Sequence, residues 1–232
     1  MLAIIDADVF IHWSARASVD TEEALEMIEE LMTTAIETTF ADETLVAVKG
    51  ANNFRHDIVP DYKANRSQPD PELIERLNAV TEFLKENYNA VPADGMEADD
   101  QVIIWAEEAR KEEKDFVIIA EDKDLKCIPG VFYNPKKNII EVIDEDQADL
   151  LYHCQLLTGD SADNIQGLYR VGPKTAQKWL KDLPIGKRMD KVKEVWAEKH
   201  PTDWQQRLLT CGQLIHIKRT YDDEFTLGDN DA

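Results

Sequence analysis

Carboxylates recur wherever a short apolar run of this chain ends. Asp6 and Asp8 follow the run 2–5, and Asp122 and Asp124 follow the run 116–120. Glu97, Asp99 and Asp100 open an amphipathic stretch that comes after the apolar pair Ala90 and Val91. In an open α/β sheet, ligands bind beyond the carboxyl ends of the strands, so acids at three such ends gather on one edge. Gathered carboxylates repel one another, and hard cations relieve that repulsion. An all-oxygen donor set selects Mg²⁺ or Mn²⁺ over zinc. A pair of such ions, about 4 Å apart, activates water and stabilises a leaving oxygen in phosphoryl transfer. Taken singly, each acid reads equally well as a helix cap or a solvated loop residue. Their recurrence after three separate strands points to a metal centre. Asp160 and Asp163 form a further pair whose spacing shares a helix face if that segment is helical. Alone, that pair reads better as a helix end followed by a new cap.

The basic residues are as unevenly placed as the acids. Against 47 acids stand 26 bases, a net charge of −21. That excludes a uniformly basic DNA-coating protein, because phosphate binding needs positive charge, so any nucleic-acid surface must be local. One candidate is 54–71, where Pro60, Pro69 and Pro71 forbid a single long helix and Arg55, His56, Tyr62, Lys63 and Arg66 cluster. It reads as a mobile basic loop or short helix. The second is Gly167-Leu168-Tyr169-Arg170-Val171-Gly172-Pro173-Lys174-Thr175-Ala176, with Lys178 beyond it. Pro173 suits a first helical position, and a glycine before a helix N-terminus lets backbone N–H groups approach a phosphate. The competing reading is an ordinary helix–turn–helix with solvated lysines.

Strand and helix patterns alternate through the first half: strands at 2–5 and 45–48, near 90–91 and at 116–120, with helical periodicity at 21–40, 73–84 and from 98. This predicts an α/β fold with a mostly parallel central sheet and flanking helices. A hairpin is expected around Pro135-Lys136-Lys137-Asn138. Beyond it only helices are expected, at about 147–158, 173–181, 190–198 and 203–218, with a frayed acidic end at 222–232. The expected division is a catalytic region 1–145, with the arch 54–71 inside it, and a helical DNA-binding region 146–232. Cys127, Cys154 and Cys211 lack paired spacing and read as reduced thiols of a cytoplasmic protein. No signal peptide and no membrane span are expected.

In order and spacing these blocks resemble the 5′-nucleases: phage 5′–3′ exonucleases, flap endonucleases and the 5′-nuclease domain of bacterial DNA polymerase I. The resemblance is carried by Ile4-Ile5-Asp6-Ala7-Asp8, Tyr62-Lys63-Ala64-Asn65-Arg66, Glu97-Ala98-Asp99-Asp100 and Asp122-Lys123-Asp124. It continues in Gly159-Asp160-Ser161-Ala162-Asp163-Asn164-Ile165-Gln166-Gly167 and Gly172-Pro173-Lys174-Thr175-Ala176. The resemblance implies a PIN-like sheet followed by a helix–three-turn–helix region. It implies a first metal held by Asp6, Glu97, Asp99, Asp100 and Asp122, and a second by Asp122, Asp124, Asp160 and Asp163. Lys63 and Arg66 would act on the scissile phosphate, and Tyr62 would stack on a base. Gly167, Gly172, Lys174, Thr175 and Lys178, with Arg55, would contact DNA, and K⁺ would sit on the carbonyls of the 167–176 loop.

The activity implied is 5′–3′ exonuclease and flap endonuclease hydrolysis of DNA that leaves 5′-phosphate ends, in phage replication and in the host cytoplasm. The implied partners are DNA with 5′ ends, flaps or branches, RNA–DNA hybrid included, bound by a monomer without a membrane. One family acid, shortly after the second strand, is missing: Lys49-Gly50 stands there. Two other readings therefore stay open, a branched-DNA binder with an impaired metal site and an RNA-cutting nuclease of similar sheet architecture.

Overall fold

The computed structural model describes residues 1–67 and 69–228. Its frame is a six-stranded sheet in the order β3-β2-β1-β4-β5-β6. The strands are β1 (Leu2–Asp6), β2 (Glu43–Lys49), β3 (Val91–Ala93), β4 (Phe116–Ile119), β5 (Gly130–Asn134) and β6 (Ile139–Ile143). All neighbours run parallel except the last pair, β5 and β6, which form the expected hairpin. Parallel strands covered on both faces must be apolar throughout, which is why β1 and β4 read as continuous hydrophobic runs.

Helices cover both faces. On one lie α1 (Asp8–Ala17), α2 (Thr21–Thr39) and α4 (Pro71–Tyr88), packed around Phe10, Ile28, Met32, Val80 and Leu84. On the other, α5 (Ala98–Lys111) buries Val102, Ile103 and Ala106 against Ile4 and Ile118. The boundaries follow local chemistry. Asp20 caps α2 and Asp70 caps α4, each side chain accepting the N–H of the residue three places on, Glu23 and Leu73. Sequence periodicity does not anticipate α1, whose Val9, Phe10 and Ile11 are consecutive and all buried.

Beyond the sheet lie α6 (Glu145–Thr158), α7 (Pro173–Leu180), α8 (Arg188–Lys199) and α9 (Trp204–Ile215), close to the expected spans. Their core gathers Leu156, Leu180, Val192, Trp196 and Leu208. The chain also forms a small antiparallel pair, β7 (Gly159–Asp160) and β8 (Ile165–Gln166), where only helix was expected. A side chain on Gly167 would collide with the Thr158 backbone, so glycine is required there by close approach. The acidic end is not frayed as far as it is described. Asp223 accepts from the Arg219 N–H at 2.8 Å and pairs with His216 at 2.9 Å, and Phe225 is buried. Residues 229–232 of that expectation lie outside the described residues.

The segment expected to be a mobile arch is short and docked. It holds one helical turn, α3 (Arg55–Ile58), then turns closed by Tyr62 N–H to Val59 C=O, Ala64 N–H to Asp61 C=O and Arg66 N–H to Lys63 C=O. The Asn65 side chain donates to the Ser161 carbonyl and Asn164 to the Asp61 carbonyl, at 2.9 and 2.8 Å. These bonds stitch 61–65 to 161–164 and account for the docking; Gln68 lies outside the described residues.

The missing acid after β2 also has a structural reason. Lys49 pairs with Ala93, so the chain passes from β2 hard against the end of β3. A Cβ at Gly50 would collide with the Ala93 carbonyl and the Asp94 N–H. Gly50→Asp is therefore expected to destabilise the protein by roughly 1–3 kcal/mol, as overpacking does, rather than restore a ligand. Urea denaturation checks this, and a variant as stable as wild type contradicts the close approach.

Candidate metal centre and nucleic-acid interface

The acid-bearing strand ends meet where the topology predicts. Asp6 ends β1, Glu97 and Asp99 open α5 after β3, and Asp122 follows β4, the strand beside β1. Asp6 is 5% exposed. Burial pushes its carboxyl well above the usual carboxylate range, and the Asp8, Asp122 and Glu97 charges push the same way. Asp99 behaves alike, raised by burial and then by Asp6, Asp122 and Glu97. Among the described residues neither Asp6 nor Asp99 has an ion-pair partner. Asp8 is raised mainly by burial, but His12, Lys49 and Lys63 oppose the shift. His12 and Lys49 as neighbours of this acid are new: no motif marks them, and only the start of α1 at Asp8 could have pointed to His12, one helical turn on.

Asp124 extends the acidic edge toward β7. Its carboxyl is raised to about 6, first by burial and then by Asp122, with Asp160 adding to it. Its Oδ1 is buried without a hydrogen-bond partner, and the nearest cation, Lys123, stands 3.6 Å off. A buried oxygen left unpaired is rare in proteins and calls for an ion or water. With an all-oxygen donor set around it, the edge fits a hard divalent cation. Among the described residues no three acids have closed into a finished cage. Two of them are taken instead by the basic segment.

That segment crosses the acids at Lys63. Lys63 is left-handed (φ 56°), held by its N–H on the Asp163 carbonyl at 3.0 Å. Its Nζ contacts Glu97 and lies 3.4 Å from Asp163, and Arg66 contacts Asp163. Lys63 and Arg66 thus stand at the acidic edge. Tyr62 does not offer a stacking face. It is 3% exposed, its ring sits in the helical core, and its hydroxyl donates to Glu97 at 3.0 Å and Asp163 at 3.3 Å.

Asp99 and Asp100 part company. Consecutive helical residues point about 100° apart, so they cannot both face one ion. Asp100 is fully buried and turned inward. It accepts both arms of Arg55 at 2.6 and 2.9 Å and the N–H groups of Glu97 and Lys218 at 3.0 and 2.9 Å. Burial alone would raise its carboxyl, but the Arg55 bonds and charge hold it below the usual range. Arg55 is 2% exposed and also donates to the carbonyls of Leu214 and His216 at 3.0 and 2.7 Å. The expected metal ligand Asp100 and the expected DNA contact Arg55 therefore satisfy each other, tying α3 and α5 to the end of α9.

The second basic region is open. Gly172 caps α7, and nothing stands where its side chain would be. Lys174 and Lys178 are exposed and Thr175 half-buried, while Gly167 is committed to the backbone contact at Thr158. A free helix N-terminus beside exposed lysines favours an anion.

Comparison with known proteins agrees with this geometry. Residues 3–150 match the family described as 5′–3′ exonuclease, N-terminal resolvase-like domain. The chain is 35% identical over 142 residues to a DNA polymerase I of Rhizobium leguminosarum, covering 57% of this chain and 14% of that one. It is 30% identical over 150 residues to a 5′–3′ exonuclease of Mycoplasmopsis pulmonis, covering 60% and 49%. It thus spans about half, or much less, of the length of these relatives. Its fold is that of a bacteriophage T5 flap endonuclease solved with DNA and metal ions, with a TM-score of 0.74 and 17% identity over 92% of this chain and 88% of that one. A T5 5′-exonuclease with bound zinc gives 0.71 at 17%, over 92% and 86%. No helix among the described residues is long and apolar enough to cross a membrane.

Neighbouring acids of α5 should respond oppositely to mutation. Asp100→Asn is expected to destabilise the metal-free protein by about 3 kcal/mol, because it breaks a buried ion pair. Asp99→Asn is expected to be neutral or stabilising, because it removes an unpaired charge. Denaturant melts in EDTA read both, and equal effects contradict the division of roles.

The pH dependence has a defined sign. Asp124 is raised from 3.8 to about 6 in the folded protein, so the folded state binds the extra proton between those values. Stability from this group is therefore highest below 3.8 and is lost as pH rises toward 6. Without divalent metal, Asp124→Asn is expected to flatten the pH–stability curve over that window by roughly 2 kcal/mol. Thermal melts across the window check it, and a curve unchanged by the substitution contradicts the raised carboxyl.

Proposed function

This chain belongs to the 5′–3′ exonuclease family, and on that premise we propose that it is a divalent-metal-dependent nuclease cutting DNA at 5′ ends and flaps. The products carry 5′-phosphate ends, and the setting is DNA replication, as in a phage. Residues 1–145 carry the chemistry and 146–232 grip duplex DNA. One observation carries the reading: Asp6, Asp99 and Asp122 converge from separate strand ends, and among the described residues neither Asp6 nor Asp99 has an ion-pair partner.

Asp6, Asp99, Asp122 and Glu97 would hold one Mg²⁺ or Mn²⁺, and Asp122, Asp124, Asp160 and Asp163 would help hold a second. Bound there, such ions supply a nucleophile at neutral pH and stabilise the leaving oxygen. The chain's own groups supply positioning. Lys63 and Arg66, seated on Glu97 and Asp163, lie where a phosphate brought to the acids would meet them, and they stabilise charge as it develops. Tyr62 fixes this arrangement from beneath through its hydroxyl. The N-terminus of α7 with Lys174 and Lys178 holds the duplex backbone, and the 167–176 carbonyls hold K⁺ in the same reading.

Gly50 favours a second reading, a branched-DNA binder that cuts poorly, since no carboxylate fits there. Turnover separates the two. With Mg²⁺ or Mn²⁺ and a 5′-flap DNA, wild type is expected to cleave, and Asp122→Asn to lose cleavage by at least about a thousandfold while still binding the DNA. Full activity in Asp122→Asn contradicts the metal assignment. Binding without cleavage by wild type favours the second reading.

A further inference from the structure

The two edges of the six-stranded sheet are built differently. At one edge β3 is short, Val91–Ala93, with Pro92 at its centre. A short strand carrying proline is a usual way to stop a sheet edge from pairing with another chain. The other edge, β6, lacks that protection. Its residues Ile139 to Ile143 pair with β5 on one side, and no other backbone hydrogen bond among the described residues reaches them. Ile139, Ile140 and Val142 are 47%, 54% and 72% exposed. The strand's single charge, Glu141, is already matched by Lys126, which contacts its carboxylate.

Flanking charge selects the partner. Lys136 and Lys137 precede β6, and Asp144, Glu145 and Asp146 follow it. The strand thus runs from a basic end to an acidic end, and an antiparallel partner of the same sequence brings opposite ends together. With a two-fold axis at Glu141, the middle residue, Ile140 faces Val142 of the second copy and Ile139 faces Ile143. The same register sets Lys137 opposite Glu145. Both are exposed, and among the described residues neither is in an ion pair. Cross-strand apolar and opposite-charge pairs stabilise an antiparallel ladder, whereas like charges directly opposite destabilise it. The like pair in this register is Glu141 with its own copy, and Lys126 stands beside each. A parallel partner of the same sequence would set lysines on lysines and acids on acids.

We propose that β6 pairs antiparallel with β6 of a second copy of this chain, joining the two sheets into one continuous sheet. This departs from the monomer that the resemblance implies, and it is independent of the nuclease reading. Because the two copies run in opposite directions, their acidic edges lie at opposite ends of the joined sheet. A contact made by one short strand from each copy lies at the small end of specific interfaces, so the dimer is weak and concentration-dependent.

Sedimentation equilibrium of the full chain, in EDTA and without DNA, tests this from low micromolar to several hundred micromolar protein. Wild type is expected to pass from monomer to dimer over that range. Val142→Lys should weaken the dimer at least about tenfold, because it sets a lysine against Ile140 twice in each dimer. The charged ends test the register. Lys137→Glu and Glu145→Lys should each weaken the dimer about fivefold, and the two together should restore it to near the wild-type value. These side chains are exposed, so thermal melts should show every variant folded. A wild type that stays monomeric throughout overturns the proposal. A dimer that Val142→Lys leaves intact also overturns it, by placing the contact elsewhere. A double variant no better than either single one overturns the antiparallel register and the proposal with it. None of these results touches the nuclease reading, which turnover on 5′-flap DNA decides.

Discussion

Carboxylates crowded at one edge of a parallel sheet set the terms for everything around them. Asp6 and Asp99 are raised by burial and by neighbouring carboxylates, Asp122 and Glu97 acting on both, and among the described residues neither is in an ion pair with an arginine or lysine. A sheet evolving for stability alone would not hold them so. The surrounding structure reads as a means of keeping that crowd in place. The strands carry the acids to one edge, the bidentate Arg55–Asp100 pair ties α5 to α3 and α9, and Tyr62 and Lys63 pull Glu97 and Asp163 together. Relief by a hard cation is the simplest way such an arrangement becomes stable.

The same constraint organises charge across the molecule. Basic groups appear at two places that matter for a polyanion: over the acids, at Lys63 and Arg66, and beyond them at the cap of α7. The chain as a whole is acidic, with 47 acids to 26 bases, and α2 carries glutamates with no base anywhere in the helix. On the proposed function, a DNA strand would be repelled from most of the protein and accepted along the line joining the two basic places. The stitching of 61–65 to 161–164 keeps that line at one length, joining the segment over the acids to the loop that leads into α7.

Much of this was legible in the sequence because it depends on period and on strand ends. Apolar runs of parallel strands, helical spacing and acids after strands are local signals, and the topology rule converts them into one edge. What sequence could not show is which way neighbours point and what they meet far along the chain. Asp99 and Asp100 look alike in a motif; the helix turns one toward Asp6 and the other toward an arginine on α3. Arg55 and Tyr62 sit in a basic, proline-bounded stretch that reads as solvent-facing, yet both are buried against residues distant in sequence. The helix α1 was hidden because consecutive apolar residues at 9–11 carry no clear period. The absence of an acid at Gly50 was visible, but its cause, the Ala93 backbone, was not.

The most direct test is where a transition-metal ion goes. Crystals soaked in Mn²⁺ and measured at the manganese edge should show an anomalous peak bounded by Asp6, Asp99 and Asp122. A second peak is expected toward Asp124 and Asp160, with Lys63 withdrawn from Glu97 and the Arg55–Asp100 pair unchanged. No peak at the strand ends at millimolar Mn²⁺, with Lys63 still seated on Glu97, would contradict the claim that this edge is built for metal.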